Sequence, residues 1–172
     1  MSNEVYEGLS RRTGGTLSLA VLGGAGTGKT TLFRMIMGLD TPTSGSFRAE
    51  EGSGQAQAEG LTLCFAENGT GNAALLLASD GTVNGARSDT VAQEETLAAR
   101  LHAEGIPFVV LVNSGAPHSQ ECEDLRKALQ EKYGAPALSC NCKQQREYGE
   151  VFEKLLLRFP ARRLDFTIPE WL

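Results

Sequence analysis

Residues 23–30 combine glycines, a lysine and a threonine in a spacing that can bind phosphate. They form a glycine, four further positions and then Gly-Lys-Thr. Glycines let a backbone curl so that its N–H groups converge on an anion. Lys29 would reach the β- and γ-phosphates, and the Thr30 hydroxyl could ligate Mg²⁺. The pattern therefore predicts a nucleotide-binding loop that takes a nucleoside triphosphate together with Mg²⁺.

Candidate site residues come from this loop and from two later loops. Lys29 and Thr30 are the candidate catalytic residues, and Thr30 is the candidate Mg²⁺ ligand. Asp80 is a second candidate metal ligand, because it follows an apolar strand. The predicted nucleotide-binding residues are Gly23, Gly24, Ala25, Gly26, Thr27, Gly28, Lys29, Thr30, Thr31, Asn113 and Ser114.

The segments around the loop must hold it between a strand and a helix. The apolar run 17–22 predicts the strand, and residues 28–39 have a helical pattern. Further strands are predicted at 61–65, 73–78, 108–112 and 136–140, and further helices at 88–104, 119–134 and 145–159. Alternating strands and helices predict an α/β fold of the P-loop NTPase class, with three α/β/α layers and a mostly parallel sheet.

Local signals set the expected ends of these elements. Ser88 and Ser119 are predicted N-caps, and Gly134 is predicted to end a helix. Residues 1–16 are polar and end in a loop, and residues 40–60, rich in glycine and polar residues, predict an exposed flexible connection. We predict one nucleotide-binding domain over residues 1–160, followed by an apolar tail over 161–172.

The tail has an alternating pattern. Leu164, Phe166 and Ile168 would share one face of an extended segment, and Trp171 and Leu172 follow. Two interpretations stay open. The tail covers part of its own sheet, or it is half of an interface that drives self-association.

Composition argues against several other classes of protein. The net charge of −5 gives no electrostatic footprint for nucleic acid. The longest apolar runs are too short for a membrane span, and the polar N-terminus is not a signal peptide. The cysteines Cys64, Cys122, Cys140 and Cys142 form no Cys-x-x-Cys pair, and Cys140 and Cys142 alternate along one strand. We interpret them as reduced thiols of a cytoplasmic protein without membrane insertion or nucleic-acid binding.

Ligands of parallel sheets bind beyond the carboxyl ends of the strands. The loops at 23–30, 79–82, 113–117 and 139–141 would all lie there, so they could face one nucleotide. The alternative for each later loop is a plain exit from its strand.

Several separated blocks resemble the nucleotide-binding domain of the stage IV sporulation protein A family. The resemblance covers residues 10–30 and 73–172, and its blocks are residues 12–15, 79–82, 86–89, 107–109, 113–114, 131–136 and 159–160. It implies the fold of translation-factor-like GTPases with ATP as the substrate. It also implies ATP-driven self-assembly, or assembly with other spore-coat proteins, on the forespore surface facing the mother cell.

The loop at Asn113 bears on the choice of base. A GTPase of this fold would have Asn-Lys-x-Asp there, and its aspartate would pair with guanine. Ser114 and Ala116 stand in place of that lysine and aspartate. The missing carboxylate agrees with adenine or with weak base selectivity.

One departure from the family concerns hydrolysis. By register, Ala66-x-x-Gly69 stands where the family has the Asp-x-x-Gly that organises Mg²⁺ and water, and Glu67 is adjacent. The resemblance places Asp80 on the following strand instead. We therefore predict slow ATP hydrolysis, and the alternative is a nucleotide-binding or assembly module without significant turnover.

A second resemblance is confined to one segment. Residues 28–38, followed by Pro-Thr-Ser-Gly at 42–45, are similar to the phosphate loop and helix of ABC transporter ATPases. The Leu-Ser-Gly-Gly-Gln signature and an apolar strand ending in Asp-Glu are missing. A fragment of ABC type is thus a further alternative, beside local convergence or a chimeric origin.

Overall fold

The fold is taken from a computed structural model that describes residues 3–29, 31–32, 47–50, 53–58, 61–67, 71–83, 85–144 and 149–159. Thr30, the predicted helical residues 33–39 and the tail from residue 161 lie outside this part of the chain. The predictions made for them therefore stay predictions, as does the boundary of the domain.

The described residues form one sheet of seven strands in the order β2-β3-β4-β1-β5-β6-β7. The neighbours β4, β1, β5, β6 and β7 run parallel, whereas β2 and β3 are antiparallel additions at one edge. The predicted mostly parallel sheet is confirmed. The strands are β1 Thr16–Gly23, β2 Phe47–Glu50, β3 Ser53–Ala58, β4 Leu61–Glu67, β5 Ala73–Ser79, β6 Phe108–Asn113 and β7 Ala137–Cys140.

Helices cover both faces of this sheet, which confirms the three-layer arrangement. On one face, Leu9 and Phe152 pack in a core with Leu75 of β5. On the other face, Leu101 and Leu129 pack with residues of the same strands. All of β5 and β6 is buried, as expected for central strands covered on both sides. The helices are α1 Asn3–Thr13, α2 Val91–Ala103, α3 Gln120–Tyr133 and α4 Gly149–Arg158, with a 3₁₀ turn at Arg87–Asp89.

The N-terminal helix α1 is a correction, because the polar composition of residues 1–16 gave no helix. Val5 and Leu9, four residues apart, are buried in the core that also contains Phe152. Two apolar residues on one helical face are enough once the sheet offers a surface to cover. Arg11 and Arg12 in the last turn also suit the negative end of the helix dipole.

The predicted flexible connection contains two strands. β2 pairs with β3, and β3 pairs antiparallel with β4, with Ser53 opposite Ala66 and Ala58 opposite Leu61. Strand pairing uses backbone hydrogen bonds, so a segment rich in Gly, Ser and Gln can still extend a sheet. Residues 47–50 and 53–58 are thus strands of the sheet, which the composition did not predict, while the flexibility of the connection stays a prediction.

Two of the three predicted helix ends are correct. The Ser119 hydroxyl accepts a hydrogen bond from the backbone N–H of Cys122 at 3.2 Å, and Gly134 has the left-handed φ of 58°. Ser88 is not an N-cap, because it lies in the 3₁₀ turn and α2 begins three residues later. Among the described helices, none is long and apolar enough to cross a membrane.

Candidate nucleotide-binding site

The phosphate loop follows β1, which is the fourth strand across the described sheet. The loop turns back on itself at Thr27. The backbone N–H and the hydroxyl of Thr27 both donate to the carbonyl of Gly24, at 3.3 Å and 2.8 Å. Gly26 and Gly28 have φ values of 77° and 99°, a region that favours glycine. The predicted curl of the backbone is thus present, and glycine is required at both positions.

The two glycines that begin the loop lie against neighbouring segments. A Cβ on Gly23 would lie 2.6 Å from the Thr27 hydroxyl and 2.9 Å from the Leu77 carbonyl oxygen. A Cβ on Gly24 would lie 2.9 Å from the Cβ of Thr90. Any side chain here would force the loop away from β5 and from the start of α2.

The ammonium group of Lys29 lies across the loop. Its Nζ donates to the carbonyls of Gly23 at 2.7 Å and Gly24 at 3.2 Å. The backbone N–H of Leu32 donates to Gly28 at 2.8 Å, so a helical turn begins where the loop ends. A helix N-terminus beside a lysine and a glycine-rich backbone has the donor chemistry that binds polyphosphate.

Asn113 holds the phosphate loop against two other loops. Its Nδ2 donates to the carbonyl of Thr27 at 3.1 Å, and its Oδ1 accepts from the backbone N–H of Cys142 at 3.0 Å. A Cβ on Gly28 would lie only 2.4 Å from that Nδ2. The structure thus gives Asn113 a positioning role, while its predicted contact with a base stays a prediction.

Ser114 is fully buried, and its polar contacts connect the loop after β6 to neighbouring loops. Its backbone N–H donates to Cys140 at 2.9 Å, and its hydroxyl accepts from the backbone N–H of Ala116 at 3.0 Å. Partial burial acts to raise the pKa of Asp80, but hydrogen bonds from the Ser114 and Thr82 side chains outweigh it, so the pKa is lowered. Asp80 is therefore a carboxylate at neutral pH, engaged in shaping the loops after β5 and β6.

Ala66 lies in β4 and Asp80 directly follows β5. These two strands lie on opposite sides of β1 in the sheet. Ala66 pairs with Ala20, and Glu67 pairs with Val21. Asp80 follows β5, which confirms its expected place on the strand after β4. Within the described residues, no group of three or more His, Cys, Asp and Glu side chains could hold a metal ion. Mg²⁺ in phosphate loops needs few protein ligands, since phosphates and water supply the rest.

The sequence did not predict a group of residues at the start of α2 that packs against the phosphate loop. Thr90 is buried against Gly24, and its hydroxyl donates to the carbonyl of Arg87 at 3.0 Å. Arg87 in turn forms a two-bond ion pair with the fully buried Glu94, at 3.1 Å and 3.0 Å. The spacing of Arg87 and Glu94, seven residues across a helix start, gave no signal on its own.

Comparison with known families places most of the chain in one of them. Residues 60–160 match the family model described as stage IV sporulation protein A, ATPase domain. The match begins after the phosphate loop, so that loop is supported by its own pattern and geometry. The resemblance noted at residues 10–30 lies outside the matched region.

Individual relatives agree with the family model. Stage IV sporulation protein A of Bacillus subtilis is 33% identical over 101 residues, which are 57% of this chain and 20% of that protein. The protein of the same name from Clostridioides difficile is 34% identical over 101 residues, 57% of this chain and 21% of that protein. The chain thus spans about a fifth of the length of these relatives.

A relative of another kind matches a shorter stretch. An aliphatic sulfonates import ATP-binding protein of Rhizobium johnstonii is 34% identical over 65 residues, 38% of this chain and 24% of that protein. The description of the matched family model refers to an ATPase domain, and the name of this shorter relative refers to ATP binding.

Proposed function

Because the chain belongs to the family of the stage IV sporulation protein A ATPase domain, we propose that it binds ATP with Mg²⁺ and hydrolyses it slowly. The observation that carries this proposal is the Lys29 ammonium lying across a loop with two left-handed glycines. In this proposal Lys29 holds the β- and γ-phosphates. The Thr30 hydroxyl would ligate Mg²⁺, and the ion would screen the phosphate charges.

Replacement of the lysine tests ATP binding directly. In Lys29→Ala we expect ATP affinity to fall about tenfold or more, because a charge-assisted hydrogen bond contributes roughly 1.5–3 kcal/mol. The measurement is titration of the purified chain with ATP and with GTP in the presence of Mg²⁺. Lys127→Ala, on the exposed side of α3, is the matched control and should bind as the unmodified chain does. Equal ATP affinity in Lys29→Ala and Lys127→Ala would contradict the proposal.

Slow turnover follows from the residue at position 66. Ala66 lies near the carboxyl end of β4, beside the strand that leads into the phosphate loop. Without a carboxylate there, the transition state lacks a group that orients Mg²⁺ and water. We expect a turnover well below about 1 s⁻¹, the low end for kinases, and a faster rate in Ala66→Asp. Phosphate release under saturating ATP measures both, with Ala66→Asn as the uncharged control, and a rate of about 1 s⁻¹ or more in the unmodified chain would refute the prediction.

We propose that the bound nucleotide regulates or drives self-assembly, alone or with other spore-coat proteins. The support is the family match, together with what the resemblance to that family implies about ATP-driven assembly. The corresponding location is the cytoplasm of the mother cell, at the forespore surface. Light scattering of the purified chain with ATP, ADP and no nucleotide tests the assembly step without any partner.

Two alternatives keep specific support. A module that binds nucleotide without significant hydrolysis is favoured by alanine at position 66, and binding without phosphate release would establish it. An ABC-type fragment is favoured by the 65-residue similarity to an import ATP-binding protein. That similarity covers less of the chain than the sporulation family does.

A further inference from the structure

Two cysteines lie in contact beside the candidate nucleotide site. Cys140 is the last residue of β7, Cys142 follows in the next turn, and their Sγ atoms are 3.7 Å apart. Both thiols are buried, and both are free. The neighbouring Lys143 and Gln144 are exposed, so local opening of this turn would bring a small solute to the sulfur atoms.

The backbone of the same two cysteines holds the loops of the site. The N–H of Cys142 donates to Asn113 Oδ1 at 3.0 Å, and Asn113 Nδ2 donates to Thr27 in the phosphate loop. The carbonyl of Cys140 accepts from the N–H of Ser114 at 2.9 Å. A Cβ on Gly28 would lie 4.0 Å from the Cβ of Cys142. A change in the turn at Cys142 is therefore passed to the phosphate loop through one side chain.

We propose that Cys140 and Cys142 form a reversible disulfide that weakens nucleotide binding. This inference rests on the proposed ATP-binding function. A disulfide needs an S–S distance of about 2.05 Å, so the two sulfur atoms must approach from 3.7 Å. Only one residue separates the cysteines, so that approach must bend the backbone that carries the Cys142 N–H. The hydrogen bond to Asn113 is lost or lengthened as a result.

The oxidant is hydrogen peroxide, and the disulfide forms in two steps. The Cys140 thiolate attacks one peroxide oxygen, the O–O bond breaks, and a sulfenic acid and water form with the released proton. The Cys142 thiol then attacks the sulfenic sulfur, the S–O bond breaks, and a second water leaves. The two thiols lose two electrons in total, and hydrogen peroxide is reduced to two waters.

The reduced pair is prepared for the first step. The contact between the two thiols lowers the pKa of Cys140, whereas the same contact and burial raise the pKa of Cys142. Cys140 is also the more exposed of the two, at 5% against 0%, so it is the attacking thiol and Cys142 the resolving one. A disulfide closed over so short a loop is strained, and strained disulfides are readily reduced by thiols.

The test uses the whole chain, reduced, treated with hydrogen peroxide, and treated again with dithiothreitol. Mass spectrometry of digested protein maps the bond, and titration with ATP measures affinity in each state. We expect a Cys140–Cys142 disulfide, ATP affinity about threefold to tenfold lower, and recovery after reduction. In Cys140→Ala, peroxide should leave ATP affinity as it was before treatment. Cys122→Ala, which removes a buried thiol on α3, should respond to peroxide as the unmodified chain does.

Hydrogen exchange of residues 23–32 without nucleotide gives a second readout. We expect faster exchange in the oxidised protein, because the Asn113 contact no longer holds Thr27. A mapped disulfide with unchanged ATP affinity and unchanged exchange would overturn the inference, and so would peroxide treatment that forms no such bond. If the reduced chain does not bind ATP, the proposed function fails, and mapping and exchange still decide the fate of the disulfide.

Discussion

At the scale of single residues, the site depends on one amide side chain. Asn113 is 2% exposed, and both of its polar atoms bond to backbone groups in other loops. Thr27 lies 86 residues away in the chain and Cys142 lies 29 residues away. A short, rigid side chain with one donor group and one acceptor suits this task, because it fixes two loops at once.

Removal of this amide should lower both the stability of the fold and the affinity for nucleotide. In Asn113→Ala the Thr27 carbonyl and the Cys142 N–H lose their partner, at a cost of about 1–3 kcal/mol each when buried. We expect lower stability to urea and an ATP affinity reduced about tenfold.

Asn72 supplies a matched control for this prediction. It also bonds two backbone groups, donating to Thr16 and accepting from Ser18, but at the opposite end of β1. Asn72→Ala should lower stability while ATP affinity stays within about twofold. An equal loss of affinity in both variants would show that Asn113 acts only through global stability.

At the scale of elements, side-chain hydrogen bonds connect α2 to the segment that precedes it and to α3. Arg87 binds Glu94 through two hydrogen bonds and also donates to the carbonyl of Ser79 at 3.0 Å. The Tyr133 hydroxyl, from the end of α3, donates to Glu94 Oε1 at 2.7 Å. Burial and that bond raise the pKa of Tyr133, so its hydroxyl stays protonated. The buried carboxylate is thus satisfied from two directions.

Neutralising Glu94 should weaken its contacts with Arg87 and Tyr133 and loosen the phosphate loop. Glu94→Gln leaves Arg87 without its counter-charge, and we expect a loss of about 2 kcal/mol, below the range for fully buried pairs because Arg87 is partly exposed. Thr90, placed by Arg87 against Gly24, should then hold the loop less well and weaken ATP binding.

The adjacent carboxylate provides the control. Glu95 forms an exposed ion pair with Lys132, and exposed pairs contribute about 0–1 kcal/mol. Glu95→Gln should therefore change neither urea stability nor ATP affinity appreciably. If Glu94→Gln and Glu95→Gln have the same free energy of unfolding, the ion pair of Arg87 and Glu94 does not stabilise the fold.

At the scale of the whole molecule, the parallel part of the sheet brings four loops to one edge. β1, β5, β6 and β7 run in the same direction, so the loops after residues 23, 79, 113 and 140 meet there. Hydrogen bonds join these loops to one another. Asn113 donates to the carbonyl of Thr27, and the backbone N–H of Asp80 donates to the carbonyl of Asn113. The backbone N–H of Ser114 donates to the carbonyl of Cys140. Hydrogen bonds therefore connect the loops at this edge, and the expectation that they face one nucleotide stays a prediction.

Self-association remains a prediction of the tail, which lies outside the described residues. Deleting residues 162–172 separates the two interpretations of its apolar pattern. If the tail is an interface, the shortened chain stays folded and monomeric while the full chain associates. Analytical ultracentrifugation gives the assembly state, and urea unfolding gives the stability.

The opposite result is equally specific. A shortened chain that unfolds more easily, or a full chain that is monomeric at high concentration, would contradict the interface interpretation. Serine at Leu164, Phe166 and Ile168, compared with serine at Asp165 and Thr167, would show whether the apolar face carries the effect.

The sequence by itself determined the features that depend on local chemistry. The phosphate loop requires glycine at the left-handed positions 26 and 28, so its type was readable from eight residues. Buried strands such as β6 are continuous apolar runs, and Ser119 and Gly134 mark helix ends through bonds and φ angles within a few residues. These signals need no knowledge of the rest of the fold.

Only the tertiary structure decided which distant residues meet. Helix α1 forms because a core accepts Val5 and Leu9, and the hairpin of β2 and β3 forms because β4 offers an edge to pair with. The contacts of Asn113 with Thr27, of Thr90 with Gly24 and of Tyr133 with Glu94 form only when segments far apart in the chain converge. Such contacts leave no periodic pattern, because each is set by where the chain returns after many residues, so strand order and packing had to be known first.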